Sequence, residues 1–346
     1  MTIQEESFGK TSDGKLINAY ILSDGKGIEA KIINYGAILV SLKTPDRNGN
    51  SEDITLGYES VENYEKDTFY LGATIGRYAN RIAKGKFTLD SNPFTLAVND
   101  KDNHLHGGPK GFHKVVWEAE KLENSNSVGV KLTYLSRDGE EGYPGSLRVS
   151  VTYILTQNSE LNIDFEAETD KKTLVNLTHH SYFNLTGSVK NNILNHELTL
   201  AAEHYTPVNE SAIPTGEIKS VLGTDMDFTN SMAVGSRIDN VPGGYDHNYV
   251  LNKEDKKLTP AAEVFDPESG RVMEVLTTEP GIQFYSGNFL DGSITGKEGI
   301  KYDQHFALCL EPQHYPDSPN KPDFPSTVLN PGEKYKHITV FKFSTR

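Results

Sequence analysis

The sequence predicts an all-β protein, organised as a single large antiparallel β-sandwich domain that spans residues 1–346. Apolar and polar residues alternate with a period of two along most of the chain. Helical signals are few and short, and the 30 glycines and 16 prolines lie scattered between the alternating runs, where they mark turns. Two packed antiparallel sheets satisfy this pattern. A β-propeller is the weaker alternative, because no repeat of fixed period is present.

The alternating runs predict the elements in chain order. A Pro-Asp and Asn-Gly sequence at 45–49 is typical of a tight reversal. A short helix is predicted from Ser60 to Asp67, and the turn at 330–332 precedes a C-terminal strand. Strands are predicted within residues 31–42, 85–100 (two short runs separated at 91–93), 128–156 (two runs around a turn rich in Gly and Pro), 160–169, 175–185 and 337–346.

Charge and composition exclude several classes of function. The formal net charge is −14, so nucleic acids and anionic membrane surfaces are unfavourable partners. Cys309 is the single cysteine, which excludes an intrachain disulfide and a cysteine-based zinc site. The segment MTIQEESFGK lacks the apolar stretch of a signal peptide, and no run approaches 18 apolar residues. We therefore expect a cytoplasmic protein without a membrane partner.

Two adjacent histidines occur in NLTHHSYFNL, residues 176–185. Because alternate side chains of a strand share a face, His179 lies on a mostly apolar face and His180 on the opposite one. That second face is wholly polar and uncharged, with the members Asn176, Thr178, His180, Tyr182 and Asn184. Such a face is typical of a sugar-binding groove, although a solvated surface is the alternative. His180 is the functional candidate, and we expect His179 to be a packed histidine with a backbone partner.

Three more histidines, His104, His106 and His113, occur in NHLHGGPKGFHKVVW. The Gly-Gly-Pro sequence after His106 predicts a loop that can hold this side chain over a groove. A polar surface loop is the simpler alternative. An H-x-H pair can also bind a metal, but no carboxylate follows at ligand spacing, so we do not expect a metal site.

A carboxylate ends an apolar strand in HFALCLEPQHYPDSPN. Pro312 restricts Glu311 to extended backbone geometry, and a buried carboxylate is costly unless it is paired or used. On its own, this stretch is explained better by an ordinary strand-end glutamate in solvent. Weaker polar candidates are Asp246 in GGYDHNYVL and the pair Gln283 and Tyr285 in PGIQFYSGNFLDG.

Taken together, these stretches resemble the aldose 1-epimerase (galactose mutarotase) family. The resemblance covers nearly the whole chain, in the order INYGAILVSLKTPDRNG, LGATIGRYANRIAKGKF, LHGGPKGF, NLTHHSYFNL, YDHNYVL, TTEPGIQFYSGNF and CLEPQHYPDSPN. It implies a single galactose mutarotase-like β-sandwich that interconverts the anomers of free hexoses. It also implies that no cofactor and no obligatory metal take part.

The resemblance also implies roles for individual residues. Glu311 matches the catalytic base, His180 the catalytic acid, and His106 a second histidine that supports the ring oxygen. The positions that match sugar-binding residues are Asn80, Arg81, Asp246 and Gln283, to which we add Tyr182 as a neighbour of His180. His179 stands where the family commonly has Asn. Asn80 and Arg81 are adjacent, so a bulge or turn is expected if both contact the sugar.

The expected chemistry is the opening and reclosure of a cyclic hemiacetal by an acid and a base. Mutual attraction is expected to lower the pKa of the glutamate and raise that of the histidine. Three alternatives stay open at this point: a hexose-6-phosphate epimerase, a non-catalytic sugar-binding protein, and a metalloenzyme that uses His104, His106 and His180. The expected partner is a small free aldose, and the expected assembly is a monomer or a homodimer.

Overall fold

The computed structural model describes residues 1–189, 191–253 and 256–346. These ranges contain 28 β-strands and one α-helix, α1 (Val61–Lys66). The strands are β1 (Thr2–Lys10), β2 (Leu16–Ser23), β3 (Glu29–Ile33), β4 (Ile38–Pro45), β5 (Ser51–Asp53), β6 (Ala73–Ile75), β7 (Arg81–Ile82), β8 (Lys86–Leu89), β9 (Asn92–Thr95), β10 (His104–Leu105), β11 (Glu118–Glu123), β12 (Ser127–Ser136), β13 (Leu147–Thr156), β14 (Glu160–Thr169), β15 (Thr173–Leu174), β16 (Thr178–His180), β17 (Tyr182–Phe183), β18 (Glu197–Leu200), β19 (His204–Tyr205), β20 (Lys219–Ser220), β21 (Met232–Ala233), β22 (Asp246–Val250), β23 (Thr259–Phe265), β24 (Arg271–Thr277), β25 (Gly281–Tyr285), β26 (Leu308–Gln313), β27 (Val328–Leu329) and β28 (Tyr335–Thr345).

Three large antiparallel sheets form the architecture, which confirms the predicted fold class. The first sheet has the order β1-β2-β3-β4-β5. The second has nine strands in the order β11-β12-β13-β14-β28-β24-β23-β18-β21. The third has six strands in the order β17-β26-β25-β22-β19-β20. The C-terminal strand β28 lies in the middle of the nine-stranded sheet, between β14 and β24.

The main apolar core lies between the nine-stranded sheet and the other two sheets. Alternate residues of β13 and β14, such as Val151 and Ile163, are fully buried there together with Leu39 of β4 and with Phe284 and Leu310 of the six-stranded sheet. Each such side chain contributes about 1.5–3 kcal/mol when it leaves water. The period-two pattern thus places one face of each sheet in this core, and the opposite face of the six-stranded sheet is free to build a site.

The short helix forms where the sequence predicts it. Ser60 is its N-cap, and the Ser60 hydroxyl accepts a hydrogen bond from the Asn63 N–H at 3.3 Å. At the other end the Lys114 ammonium donates to the carbonyl oxygens of Tyr64, Glu65 and Asp67 at 2.7–2.9 Å. No helix in the described part of the chain has the length and the apolar character needed to cross a membrane.

Two predicted strands are interrupted. Residues 31–42 form two strands, β3 and β4, because Gly36 and Ala37 adopt φ values of 63° and 45°. A Cβ at Gly36 would lie 2.6 Å from the His113 carbonyl oxygen, so the turn packs against that loop. Residues 175–185 form β16 and β17, which pair with different partners, β6 and β26. A different deviation concerns β9, which begins at Asn92, inside the separator predicted at 91–93.

Candidate active site

A cavity of about 750 Å³ opens on the polar face of the six-stranded sheet. Its walls also include loops from three other parts of the chain. The predicted site residues that line it are Asn80, Arg81, His106, His180, Tyr182, Asp246 and Glu311, and the weaker candidate Tyr285 lines it as well. Seven of the eight predicted site residues therefore lie around one space, although up to 231 sequence positions separate them (311 minus 80).

Sheet register explains why His180 meets Glu311. Tyr182 pairs with Cys309 in the antiparallel ladder of β17 and β26. His180 precedes Tyr182 by two residues, and Glu311 follows Cys309 by two residues. Because the two strands are antiparallel and alternate residues share a face, His180 and Glu311 lie side by side on one face. The His180 Nε2 and Glu311 Oε1 atoms are 3.7 Å apart, and both side chains are almost fully buried.

His106 is held by a reciprocal contact with Asn80. Both residues have left-handed backbones, with φ values of 49° and 60°. The Asn80 N–H donates to His106 Nδ1 at 3.2 Å, and the His106 N–H donates to the Asn80 carbonyl oxygen at 3.1 Å. Burial, followed by the nearby charge of His180, holds the pKa of His106 well below its usual range. Since Nδ1 of this neutral ring accepts a hydrogen bond, its proton is on Nε2.

The left-handed backbone at Asn80 is the turn expected between the two adjacent sugar-binding candidates. It allows both Asn80 and Arg81 to face the cavity. The Asn80 side-chain oxygen accepts the Arg81 N–H at 2.8 Å. The Arg81 guanidinium donates through Nε to Asp100 at 2.7 Å, which leaves its terminal nitrogens for a ligand.

Gln283 differs from the other predicted site residues, because it is not among the residues that line the cavity, although it pairs with Glu311 in the ladder of β25 and β26. Its side-chain amide donates to Asp246 Oδ1 at 2.7 Å. Its carbonyl oxygen accepts from Gln313 at 3.4 Å. The structure therefore places Gln283 as a support for Asp246, with its amide directed at another side chain.

The pKa values of the central pair run opposite to the sequence-based expectation. Burial, assisted by the Asp246 charge, raises the pKa of Glu311 well above its usual range, and Arg81 opposes this only in part. Burial lowers the pKa of His180 to about 4. The expectation was wrong because it considered only mutual attraction, whereas loss of hydration disfavours both charged forms. The neighbouring Cys309 Sγ lies 3.6 Å from His180 Nδ1, and burial keeps this thiol protonated by raising its pKa.

His104 and His179 have structural hydrogen-bond partners, whereas the buried His113 Nδ1 has none among the described residues. His104 bonds to the Ala97 carbonyl oxygen and to the Tyr143 hydroxyl, both at 2.7 Å. His104 and His113 are buried, so the interpretation as a polar surface loop was wrong. His179 is packed, as expected, but its Nδ1 pairs with the Ser181 hydroxyl at 3.0 Å and its ring contacts Tyr153.

Most of the polar face around His180 serves the fold. Asn176, Thr178 and Asn184 use their side chains to bond backbone carbonyl oxygens of neighbouring segments. Only His180 and Tyr182 of this described stretch reach the cavity. Sequence alternation therefore identified the face correctly, but long-range contacts decided which of its members face the ligand space.

One set of possible metal ligands coincides with this site. Atoms of His106, His180 and Glu311 lie within 4.8 Å of one another. Ligation through His106 Nε2 requires a proton on Nδ1, and the hydrogen bond from the Asn80 N–H requires a lone pair there. The hydrogen bond from Asn80 thus makes His106 a better hydrogen-bond donor through Nε2 than a metal ligand. His104 faces Tyr143, so the predicted alternative set of His104, His106 and His180 does not converge.

Tyr70 and Asp100 are among the cavity residues that the sequence interpretation missed. Tyr70 contacts the rings of His106, His113 and His180. Asp100 holds Arg81. The local signal for Tyr70 was an aromatic pair, Phe69 and Tyr70, between Asp67 and Gly72, which by itself does not indicate a role.

Residues 18–342 match the family model of the aldose 1-epimerases. A galactose mutarotase of Bos taurus is 47% identical over 318 residues, which cover 92% of this chain and 91% of that protein. An aldose 1-epimerase of Escherichia coli (strain K12) is 38% identical over 339 residues, which cover 96% of each. The crystal structure of an aldose epimerase homologue from C. elegans has a TM-score of 0.87 at 30% identity and covers 94% of this chain and 98% of that one. Similarity of this extent, together with the shared fold, shows that the chain belongs to the aldose 1-epimerase family.

Proposed function

We propose that this protein is a mutarotase, an isomerase that interconverts the α and β anomers of free aldohexoses such as galactose and glucose. The observation that carries the proposal is the buried pair of His180 and Glu311 in the wall of the cavity. The relatives named galactose mutarotase and aldose 1-epimerase support it, because they match along more than nine-tenths of this chain.

The chemistry follows from the positions of the two groups. Glu311 removes the proton from the anomeric hydroxyl while His180 protonates the ring oxygen, so the C1–O5 bond breaks and a free aldehyde forms. The aldehyde rotates about the C1–C2 bond. His180 then removes the proton from the attacking hydroxyl, and Glu311 returns its proton to the new anomeric oxygen. The two oxygens share one carbon atom, so a separation of 3.7 Å between acid and base suits both transfers.

Burial of the pair assists this exchange. Before ring opening the pair is a carboxylate and an imidazolium, and after ring opening both groups are neutral. Loss of hydration raises the pKa of Glu311 and lowers that of His180. Both effects lower the free energy of the neutral pair relative to that of the charged pair, so burial favours the two proton transfers that open the ring.

His106 acts as a neutral hydrogen-bond donor. Its Nε2–H, fixed by the Asn80 contact, is available to the ring oxygen or to the hydroxyl formed from it. Arg81 and Asp246 supply charged partners for the other hydroxyl groups of the sugar. No cofactor or metal takes a part in this scheme, and we expect full activity after dialysis against a chelator.

Cavity charge favours a free sugar over a phosphorylated one. The charged side chains among its described lining residues are Arg81, Lys101, Asp100, Glu210, Asp246 and Glu311. Acids outnumber cations in this set, and Arg81 is already paired with Asp100. A phosphate dianion would meet repulsion here, which argues against the hexose-6-phosphate alternative.

Polarimetry tests the proposal. The purified protein should accelerate the change in optical rotation of freshly dissolved α-galactose and α-glucose, and it should act far less on glucose 6-phosphate. Preference for the phosphorylated sugar would support the alternative epimerase. Saturable galactose binding in a calorimeter without any acceleration would show a non-catalytic sugar-binding protein and would overturn the proposal.

The histidine pair offers a matched control. His180→Asn should lower kcat by about 10²–10⁴-fold, the usual contribution of a positioned acid. His179→Asn changes the adjacent, packed histidine and should retain activity. Equal loss of activity in both variants would point to a disturbed strand instead of a lost proton donor.

A further inference from the structure

The imidazole of His180 lies against two tyrosine rings. The Tyr182 ring stacks on it at a centroid distance of 5.0 Å with an interplanar angle of 23°. The Tyr70 ring does so at 5.9 Å and 26°. Tyr70 also meets the edges of His106 and His113 at 4.6 Å and 4.7 Å, so one ring contacts all three histidines of the site.

The loop that carries Tyr70 is held in an unusual conformation. Tyr70 has a left-handed backbone with φ 60°, which an aromatic residue rarely adopts. The Asp67 carboxylate accepts hydrogen bonds from the Phe69 and Leu71 N–H groups at 3.1 Å and 3.0 Å, and from the Tyr58 hydroxyl at 3.0 Å. These contacts on both sides of Tyr70 maintain the strained conformation and fix where its ring points.

Few groups around His180 can stabilise a positive charge. Glu311 is the nearest carboxyl group to His180. The other titratable or charged groups around these two side chains, among the described residues, are Cys309, His106, His113, Tyr70, Tyr182, Tyr285, Asp246 and Arg81. The thiol and both other histidines are neutral, because burial raises the pKa of Cys309 and lowers the pKa values of His106 and His113. Burial likewise raises the pKa values of the tyrosines.

We propose that Tyr70 and Tyr182 form an aromatic pair that positions the His180 ring beside Glu311 and stabilises its imidazolium form through their π faces. A cation over an aromatic face is stabilised most where water is excluded, and His180 is almost fully buried. The pair opposes the dehydration that favours neutral imidazole, so it raises the share of the imidazolium that ring opening requires. This inference rests on the proposed function, and it assigns Tyr70 as a positioning residue for that reaction.

The direct test measures how much of His180 is in the imidazolium form. The ¹⁵N chemical shifts of His180, recorded near pH 4 where its pKa lies, report the ratio of imidazolium to imidazole. In Tyr70→Leu this ratio should fall about 2- to 30-fold, the range expected for one cation–π contact. Tyr70→Phe keeps the ring and should keep the ratio. Phe289→Leu removes another ring of the cavity that has no contact with His180, and it should leave the ratio unchanged.

A second substitution guards against misfolding. Trifluorophenylalanine at position 70 keeps the shape of phenylalanine and weakens the negative face of the ring, so the ratio should fall relative to Tyr70→Phe. Thermal unfolding identifies the folded variants. An unchanged ratio in folded Tyr70→Leu, or equal ratios in the phenylalanine and trifluorophenylalanine proteins, would overturn the proposal.

Kinetics then separate this role from a general structural one. With galactose as substrate, Tyr70→Leu should lower kcat with little change in KM, and the basic limb of the pH profile should move to lower pH. The ¹⁵N measurement needs no turnover, so it tests the aromatic pair even if the wild-type protein fails to mutarotate sugars.

Discussion

Replacement of Glu311 by glutamine should abolish most activity and yet stabilise the folded protein. The glutamine has nearly the same shape but cannot accept the anomeric proton, so kcat should fall by about 10²–10⁴-fold. The gain in stability arises because Glu311 is only 2% exposed and its Oε2 atom has no hydrogen-bond partner among the described residues. Burial of a charged group in this state is more costly than burial of a neutral amide.

The magnitude follows from the cost of that burial. An unsatisfied buried polar group costs about 1–3 kcal/mol, and a charged one costs more. The unfolding entropy of a 346-residue chain is roughly 0.7 kcal/mol per degree, from about 2.1 cal/mol/K for each residue. We therefore expect Tm of Glu311→Gln to rise by about 1–4 °C at pH 8.

The sign depends on pH. The folded-state pKa of Glu311 is raised above the unfolded value, so the carboxylate destabilises the folded protein above that unfolded value. This cost disappears as pH falls and the glutamate becomes protonated in both states. The difference in Tm between the variant and the wild type should therefore be positive at pH 8 and close to zero at pH 4.

Differential scanning calorimetry and polarimetry on the same preparations provide both measurements. Activity within a factor of ten of the wild type would refute the role of Glu311 as the base. A lower Tm for Glu311→Gln at pH 8 would refute the argument that its carboxylate is buried at a cost.

Three further predictions concern residues that support the site and the fold. Gln283→Leu removes the amide that holds Asp246. The value of kcat/KM for galactose should fall about 10- to 100-fold with Tm nearly unchanged. Unchanged kinetics would show that Asp246 needs no support from Gln283. Lys114→Met removes the donor that caps α1. The free energy of unfolding measured in urea should fall by about 1–3 kcal/mol, and an unchanged value would show that this cap does not stabilise the fold. Burial raises the pKa of Glu279, but the charges of His337 and His314 and the hydrogen bonds from His314 and Tyr335 outweigh it, so its pKa lies below the usual value. The stability that ionised Glu279 contributes is therefore present above the unfolded pKa and is lost as pH falls through the folded pKa. Glu279→Gln should lower Tm at pH 7 and have little effect once the pH lies below the folded pKa. An equal loss of Tm at both pH values would contradict this origin.

Local sequence pattern was sufficient for the fold class and for the choice between neighbouring residues. Alternation assigned His180, not His179, to the polar face, and the strand geometry of Glu311 followed from its place before Pro312. Both assignments depend only on the period of a strand, which is a property of a few consecutive residues. The same period failed at Gly36, where a left-handed turn that packs against a distant loop divides one apparent strand into two.

Other features needed contacts between segments that lie far apart in the chain. Tyr70 meets its three histidines only because sheet pairing and a loop held by Asp67 converge on one cavity. Gln283 turns to Asp246 because β22 and β25 are paired, so alternation alone could not tell a support from a sugar ligand. The pKa directions of His180 and Glu311 were reversed by dehydration, which depends on everything packed around the pair. The type and order of the chemical groups are thus local properties of this chain, whereas burial, partners and charge state arise from the tertiary structure, because each sums contributions from many separate segments.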